Sequence, residues 1–315
     1  RHKNQTAIDK FIFIGDHKQL PAVVQQSERE SIVSEPELIK IGMSDCRNSL
    51  FERLINIQKK NGSEEFIHML FKQGRMHPEI SSFSNEIFYE KKLKPIPLKH
   101  QLEILHCPSY DKSDGLQNLI ASHRLAFIVS KGDKNPISDK TNKDEAIRIS
   151  ALLKTIYTIN KNNFNPQTVG VIVPYRNQIA LIRKEIKQLN IPALSDITID
   201  TVERYQGSER DFIIYGFTVQ KIYQLEFLTG NVFKDNGQTI DRKLNVVLTR
   251  ARKQLFLIGN PQILSYNIIF QKLIKFIDNR QGVCDIPTEY FIQGKFSCSP
   301  ADKTSVPDSR QKLNV

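Results

Sequence analysis

The sequence predicts an α/β fold, a parallel sheet with helices on both faces. Three observations lead there. Short β-branched and aromatic runs recur almost unbroken by polar residues, the pattern of strands buried on both sides. Stretches with helical spacing of apolar residues lie between them. The two kinds alternate from about residue 125 to residue 275, as right-handed strand–helix–strand crossovers require.

Taken in chain order, the first run is FIFIGD at 11–16, expected as a buried strand ending on Gly15 and Asp16. Residues 22–70 are less regular, with a helix expected around Ser49–Ile57. KKLKPIPLKH at 91–100 carries two prolines and reads as a connection. LAFIVS at 125–130 is the next strand. Over 142–160, Ala146, Ile149, Leu152, Leu153 and Ile156 recur at helical spacing, and Asn142 is a suitable N-cap. TVGVIVP at 168–174 predicts a strand and 175–189 a helix, with Ile179, Leu181, Ile182 and Ile186 as its apolar set. ITIDTV (197–202), DFIIYGFT (211–218) and QLFLIGN (254–260) complete the strands, with a helix before the last of them that ends near Arg250 and Arg252. The stretch 278–315 reads as a tail, and its last twenty residues are polar and aperiodic, so order is not expected there.

Composition narrows the class. The 315 residues give room for about two domains. With 39% hydrophobic and 25% charged residues the chain is of ordinary globular character, and no apolar run nears the ~20 residues of a membrane span. The net charge of +11 favours an anionic partner, most often nucleic acid, although a merely soluble basic surface would have the same charge. Cys46, Cys107, Cys284 and Cys298 form no CxxC pair, which fits a reducing, cytoplasmic setting and argues against disulfides and zinc. No residue is assigned to a metal.

Several stretches carry chemistry. GDHKQLP puts Asp16 and Gln19 at a strand's carboxyl end, where ligands of open α/β sheets sit. KQGRMHPEI packs the donors Gln73, Arg75 and His77 around Gly74. DTVERYQGSERD offers Asp200 and Thr201 at a strand end, a close-approach turn at Gln206–Gly207, and the charged triplet Glu209–Arg210–Asp211. In LNVVLTRAR an arginine could cap a helix C-terminus or present its planar fork to a phosphate.

In this order GDHKQLP, QGRMHP, VPYRNQ, DTVERYQGSERD and LNVVLTRAR resemble motifs III, IV, IVa, V and VI of superfamily 1 helicases, in the branch that includes the nonsense-mediated-decay helicase. The resemblance covers roughly residues 10–260. It implies a RecA-like P-loop NTPase fold: 1–70 as the C-terminal remnant of a truncated first domain, 71–277 as a complete second domain, and 278–315 as the tail. ATP and Mg2+ are the implied cofactors. The implied partners are single-stranded DNA or RNA and, in the parent protein, the missing N-terminal helicase half. By the same resemblance, Asp16 and Gln19 form a sensor linking the γ-phosphate to the nucleic-acid path. Arg75 and Arg250 reach the γ-phosphate, so that Gln19, Arg75 and Arg250 form the catalytic set. Asp16, Gln73, Gly207 and Glu209 attend the nucleotide, while Tyr175, Arg176 and Thr201 face nucleic acid. Arg252 could as easily be structural. Removal of Arg75 or Arg250 is expected to abolish turnover and leave the fold intact.

The sequence departs from this pattern in three places. No GxxxxGK[ST] occurs, and no Asp-Glu pair follows a strand upstream of GDHKQLP; KDEAIRIS at 143–150 matches that pair in letters only and opens a helix. Truncation accounts for both gaps. The parent is then an ATP hydrolase, and this chain alone should bind nucleotide feebly and hardly hydrolyse it. A non-catalytic RecA-like module that binds nucleic acid or protein is the alternative, and no carboxylate-lysine nuclease cluster is evident. Third, Gly74 stands where relatives carry an aromatic ring, so weaker nucleotide-base binding is expected unless the glycine only eases a turn.

Overall fold

The computed structural model describes residues 10–105, 114–133, 136 and 138–293. The strands among them are β1 (Lys72–Gln73), β2 (Lys94–Pro95), β3 (Leu125–Val129), β4 (Val169–Val173), β5 (Thr198–Thr201), β6 (Arg210–Gly216), β7 (Val232–Asp235), β8 (Gln238–Asp241), β9 (Ala251–Gly259) and β10 (Val283–Cys284). The principal helices are α1 (Leu50–Asn61), α2 (Pro78–Ile87), α3 (Gly115–Ser122), α4 (Lys143–Ile159), α5 (Arg176–Gln188), α6 (Arg242–Leu248), α7 (Ile268–Asp278) and α8 (Thr288–Gln293).

Six strands pair in the order β10-β3-β9-β6-β4-β5, every pair parallel. Alternation along each strand sorts the core into two layers. Phe127, Ile213, Tyr215, Leu255 and Leu257 join one cluster with Phe83 of α2, Leu244 and Val247 of α6, and Leu273 and Ile277 of α7. Ala126, Ile128, Ile214, Phe256 and Ile258 join the other with Leu119 of α3, Ile149 and Leu153 of α4, and Ile182 of α5. Unbroken apolar runs were needed because both faces are covered. The caps follow the sequence: Ser49 Oγ accepts from Glu52 N, and the Asn142 side chain accepts from Glu145 N.

Three expectations need correcting, and one element goes unforeseen. FIFI at 11–14 is not a strand, and its side chains are exposed, Ile12 by 89%. An apolar run becomes a strand only beside another backbone edge and under covering side chains, and among the described residues neither flanks it. The helix before β9 stops at Leu248, so Arg250 lies in the link and Arg252 inside β9. The first part of the expected tail belongs to the sheet: β10 adds to β3, and α8 packs on α4. Its last residues, 294–315, lie outside the described residues. Finally, the β7–β8 hairpin was not expected, although its Asn236–Gly237 turn is a strong hairpin signal.

At the carboxyl end of the sheet, the fully buried Glu145 of α4 accepts from Thr218 N at 2.8 Å and from Ser130 Oγ at 3.3 Å. Burial pushes its carboxyl up to about 8, with Asp144 adding to the rise and Arg148 opposing it. The folded chain therefore binds more protons than the unfolded chain between pH 4.5 and about 8, and stability falls as pH rises through that window. Replacing Glu145 by glutamine should flatten this fall and raise Tm at pH 8 by roughly a few degrees relative to the parent chain. Thermal melts of both proteins from pH 5 to pH 8 test it; parallel curves would refute it. Asp241, which burial raises to about 6, contributes in the same direction and leaves a residual slope.

Candidate nucleotide site and nucleic-acid edge

The loop Asp16–Gln19 is docked on the sheet domain one residue at a time. Asp16 takes the Tyr89 hydroxyl at 2.6 Å and the Gln19 amide at 3.0 Å on one carboxylate oxygen, and Lys18 N on the other. His17 and Lys18 both meet Asp235, and Lys18 Nζ also donates to the Phe88 carbonyl at 2.7 Å. The backbone is held as well. The His17 carbonyl accepts from Arg242 Nε, the Lys18 carbonyl from Asn245 Nδ2, and the Leu20 carbonyl from Gln206 Nε2.

Gln19 meets Arg250. Its Oε1 accepts from Arg250 Nη2 at 2.7 Å, while Arg250 Nε and Nη1 donate to the Val246 and Ser208 carbonyls. Arg250 is 2% exposed; burial, with the nearby Arg75 charge, lowers its guanidinium to about 10, still charged at neutral pH. Arg75 Nε donates to Glu209 at 2.6 Å and Nη1 to the Thr249 carbonyl, next to Arg250. The Arg75 hydrogen bond holds the Glu209 carboxyl below its usual range. The three residues expected from sequence to act in catalysis lie together, Gln19 on Arg250 and Arg75 beside it on Glu209. Gly207 sits at φ +87° in open space, so its turn requires glycine for conformation and not for room.

Gln73 is placed otherwise. Its side chain closes the turn around Gly74, accepting from Met76 N at 2.9 Å and donating to the Met76 carbonyl at 3.0 Å. His77 caps α2, accepting from Glu79 N. A Cβ on Gly74 would meet Leu98 at 3.2 Å and Ile96 at 3.6 Å, a side-chain wall that a ring would have to displace.

The residues expected at nucleic acid lie at the other end of the sheet. Tyr175 follows β4 and Thr201 ends β5, at the carboxyl ends, whereas Glu209 and Arg250 precede β6 and β9, at the amino ends. Tyr175 is buried and stacks on Phe227 with ring centroids 4.9 Å apart, and Lys243 Nζ lies 4.1 Å from the Phe227 ring. Thr201 is buried too, and its N–H is taken by Asp200. Of the three only Arg176 is exposed. Phe227 and Lys243 were missed because neither lies in a recognisable motif.

A model of the AAA domain family matches residues 46–262. The chain belongs to that family. Within it, the motif series from Asp16 to Arg250 is that of the C-terminal portion of a superfamily 1 helicase, and the six-stranded parallel sheet is RecA-like. This AAA-domain chain is 31% identical over 273 residues to an uncharacterized ATP-dependent helicase of Methanocaldococcus jannaschii, covering 85% of the chain and 34% of that protein. It is 26% identical over 295 residues to the DNA replication ATP-dependent helicase/nuclease DNA2 of Homo sapiens, covering 89% and 25%. It is 26% identical over 276 residues to the DNA polymerase alpha-associated DNA helicase A of Saccharomyces cerevisiae, covering 84% and 35%. The chain thus spans a quarter to about a third of the length of these relatives. No helix among the described residues is long and apolar enough to cross a membrane.

Proposed function

We propose that the chain is the C-terminal half of an ATP-dependent helicase or translocase, in which residues 1–70 close a first RecA-like domain and 71–277, extended by β10 and α8, form the second. The observation that carries this reading is the contact of Gln19 with Arg250, beside the Arg75–Glu209 pair. It brings four residues of four separate motifs to one point.

Phosphoryl transfer needs positioning and charge neutralisation more than covalent chemistry. Two guanidiniums supply that here. Arg75 is aimed by Glu209 and the Thr249 carbonyl, and Arg250 by the Val246 and Ser208 carbonyls, so both would meet a γ-phosphate with little reorganisation. Gln19 would report the γ-phosphate by keeping or releasing Arg250 Nη2. Glu209 and the Gly207 turn would approach the nucleotide. Gln73 would serve it indirectly, by fixing the turn that carries Arg75. Mg2+ would neutralise the triphosphate. By the resemblance to superfamily 1 helicases, its principal ligands would come from the N-terminal half. That half would also supply the phosphate-binding loop, and the chain alone would be inactive.

Single-stranded nucleic acid would cross the carboxyl ends of β4 and β5, with Arg176 on a phosphate and the Tyr175–Phe227 stack beneath it. The relatives' names point to DNA as the strand to test first. ATPase of the parent protein, with single-stranded DNA and RNA compared at one salt concentration, is expected to rise with at least one of them. Arg176→Ala should reduce the slope of log affinity against log salt by about one. ATP hydrolysis indifferent to both strands would overturn the proposal.

A further inference from the structure

The β7–β8 hairpin projects between β6 and α6, closed by Asn236 and Gly237 at φ +49° and +76°. Its last residue before the turn is Asp235. Three nitrogens converge on that carboxylate: His17 Nε2 at 3.2 Å, Lys18 Nζ at 3.2 Å and Lys59 Nζ of α1 at 3.1 Å. The Asp235 and Lys18 side chains are each only 10% exposed. Burial alone would raise this carboxyl, yet the Lys59, His17 and Lys18 contacts hold it at about 2. Beneath it, Phe233 packs edge-on to the His17 ring, and the Arg242 guanidinium lies 4.0 Å above Phe233. Arg242 in turn bonds the His17 carbonyl and Glu52 of α1.

We propose that this hairpin is a clasp and that Asp235 is a positioning residue for the nucleotide site. His17 and Lys18 immediately precede Gln19, so fixing their side chains fixes the distance of Gln19 from Arg250. Lys59 anchors the same carboxylate to α1, so the hairpin grips the N-terminal segment at two points. A surface ion pair would be weak and screened. This carboxylate is almost fully enclosed, and loss of its partners leaves a charge without compensation. Release of the clasp therefore loosens the alignment of Gln19 with Arg250, and re-forming the clasp restores it. The role in turnover rests on the helicase reading above; the clasp itself does not.

Two measurements separate these parts. On the 315-residue chain, amide hydrogen exchange is compared for the parent sequence, Asp235→Asn and Lys59→Met, which attack the contact from opposite sides. Faster exchange across residues 16–20 and 50–61, with β4, β6 and β9 unchanged, supports the clasp. Unchanged exchange in both variants overturns it, whatever the protein's activity. In the parent helicase, Asp235→Asn is expected to lower kcat roughly fivefold or more, the lower end of ordinary coupling between sites, with KM for ATP little changed. Loosened exchange together with an unaltered kcat overturns the positioning role. If the unmodified parent hydrolyses no ATP, the helicase reading fails and positioning with it, while exchange alone still decides the clasp.

Discussion

Replacing Arg250 by alanine is expected to lower nucleic-acid-stimulated ATP hydrolysis of the parent helicase by about 10³–10⁵, the contribution of an arginine finger. That factor corresponds to about 4–7 kcal/mol of transition-state stabilisation. Arg250→Lys should fare little better, because lysine keeps the charge but not the planar fork. The structure alters one part of the expectation drawn from sequence. Arg250 is not a free finger: it is buried and satisfies the carbonyls of Val246 and Ser208. Its removal takes a donor from the Ser208 carbonyl, while the Val246 carbonyl keeps the Thr249 hydroxyl at 3.1 Å, at roughly 1–3 kcal/mol of stability. Turnover and urea denaturation must therefore be measured together. Hydrolysis at the parent rate in a folded Arg250→Ala protein would remove Arg250 from the mechanism.

The largest loss of stability is expected at Arg148. This fully buried guanidinium donates to Asp144 at 2.8 Å, to the Ile286 carbonyl at 2.7 Å and to Thr288 Oγ1 at 3.0 Å, and lies 4.6 Å from the Phe291 ring centre. Thr288 closes the circuit by donating to Asp144. Arg148 thus fastens the β10–α8 segment to α4. Arg148→Met takes the cation from the Asp144 carboxylate, which keeps only neutral donors from Thr288 and Lys131 N, and should cost about 3–5 kcal/mol, read as a lower urea midpoint. Adding Asp144→Asn should recover part of the loss, because it removes that charge. An Arg148→Met chain with an unchanged midpoint would disprove the assignment.

The sheet domain was legible because its strands are buried on both faces, so each announces itself by an apolar run. The same reasoning failed for Phe11–Ile14. An apolar run records a demand for burial and says nothing about which edge meets it. It failed again for β10, two residues long, whose place depends on Arg148 reaching 138 residues along the chain to the Ile286 carbonyl. At the site, Gln19, Arg75, Glu209 and Arg250 stood out singly, through the resemblance. Their pairing did not, since Gln19 and Arg250 are 231 residues apart in sequence. Gln73 is a nucleotide residue only through the resemblance of its motif. Its two hydrogen bonds to Met76 show a turn being closed. Asp235 gave no sign of itself, since one acid in a polar hairpin looks solvated until its partners are known.

The opposition of the two residue groups across the sheet has a mechanical reading. Tyr175 follows β4 and Thr201 ends β5, and the arginines lie where β6 and β9 begin. A strand the length of β4 separates the ends by about 17 Å. β4, β6 and β9 are bonded on both sides and packed above and below, which makes them struts that do not shorten. On the proposed function, a push on the arginine end would tilt the whole slab, and the far end would sweep with it like the long arm of a lever. Stroke length would then be fixed by the height of the sheet, and its timing by the few side chains of residues 16–19 that bear on the slab.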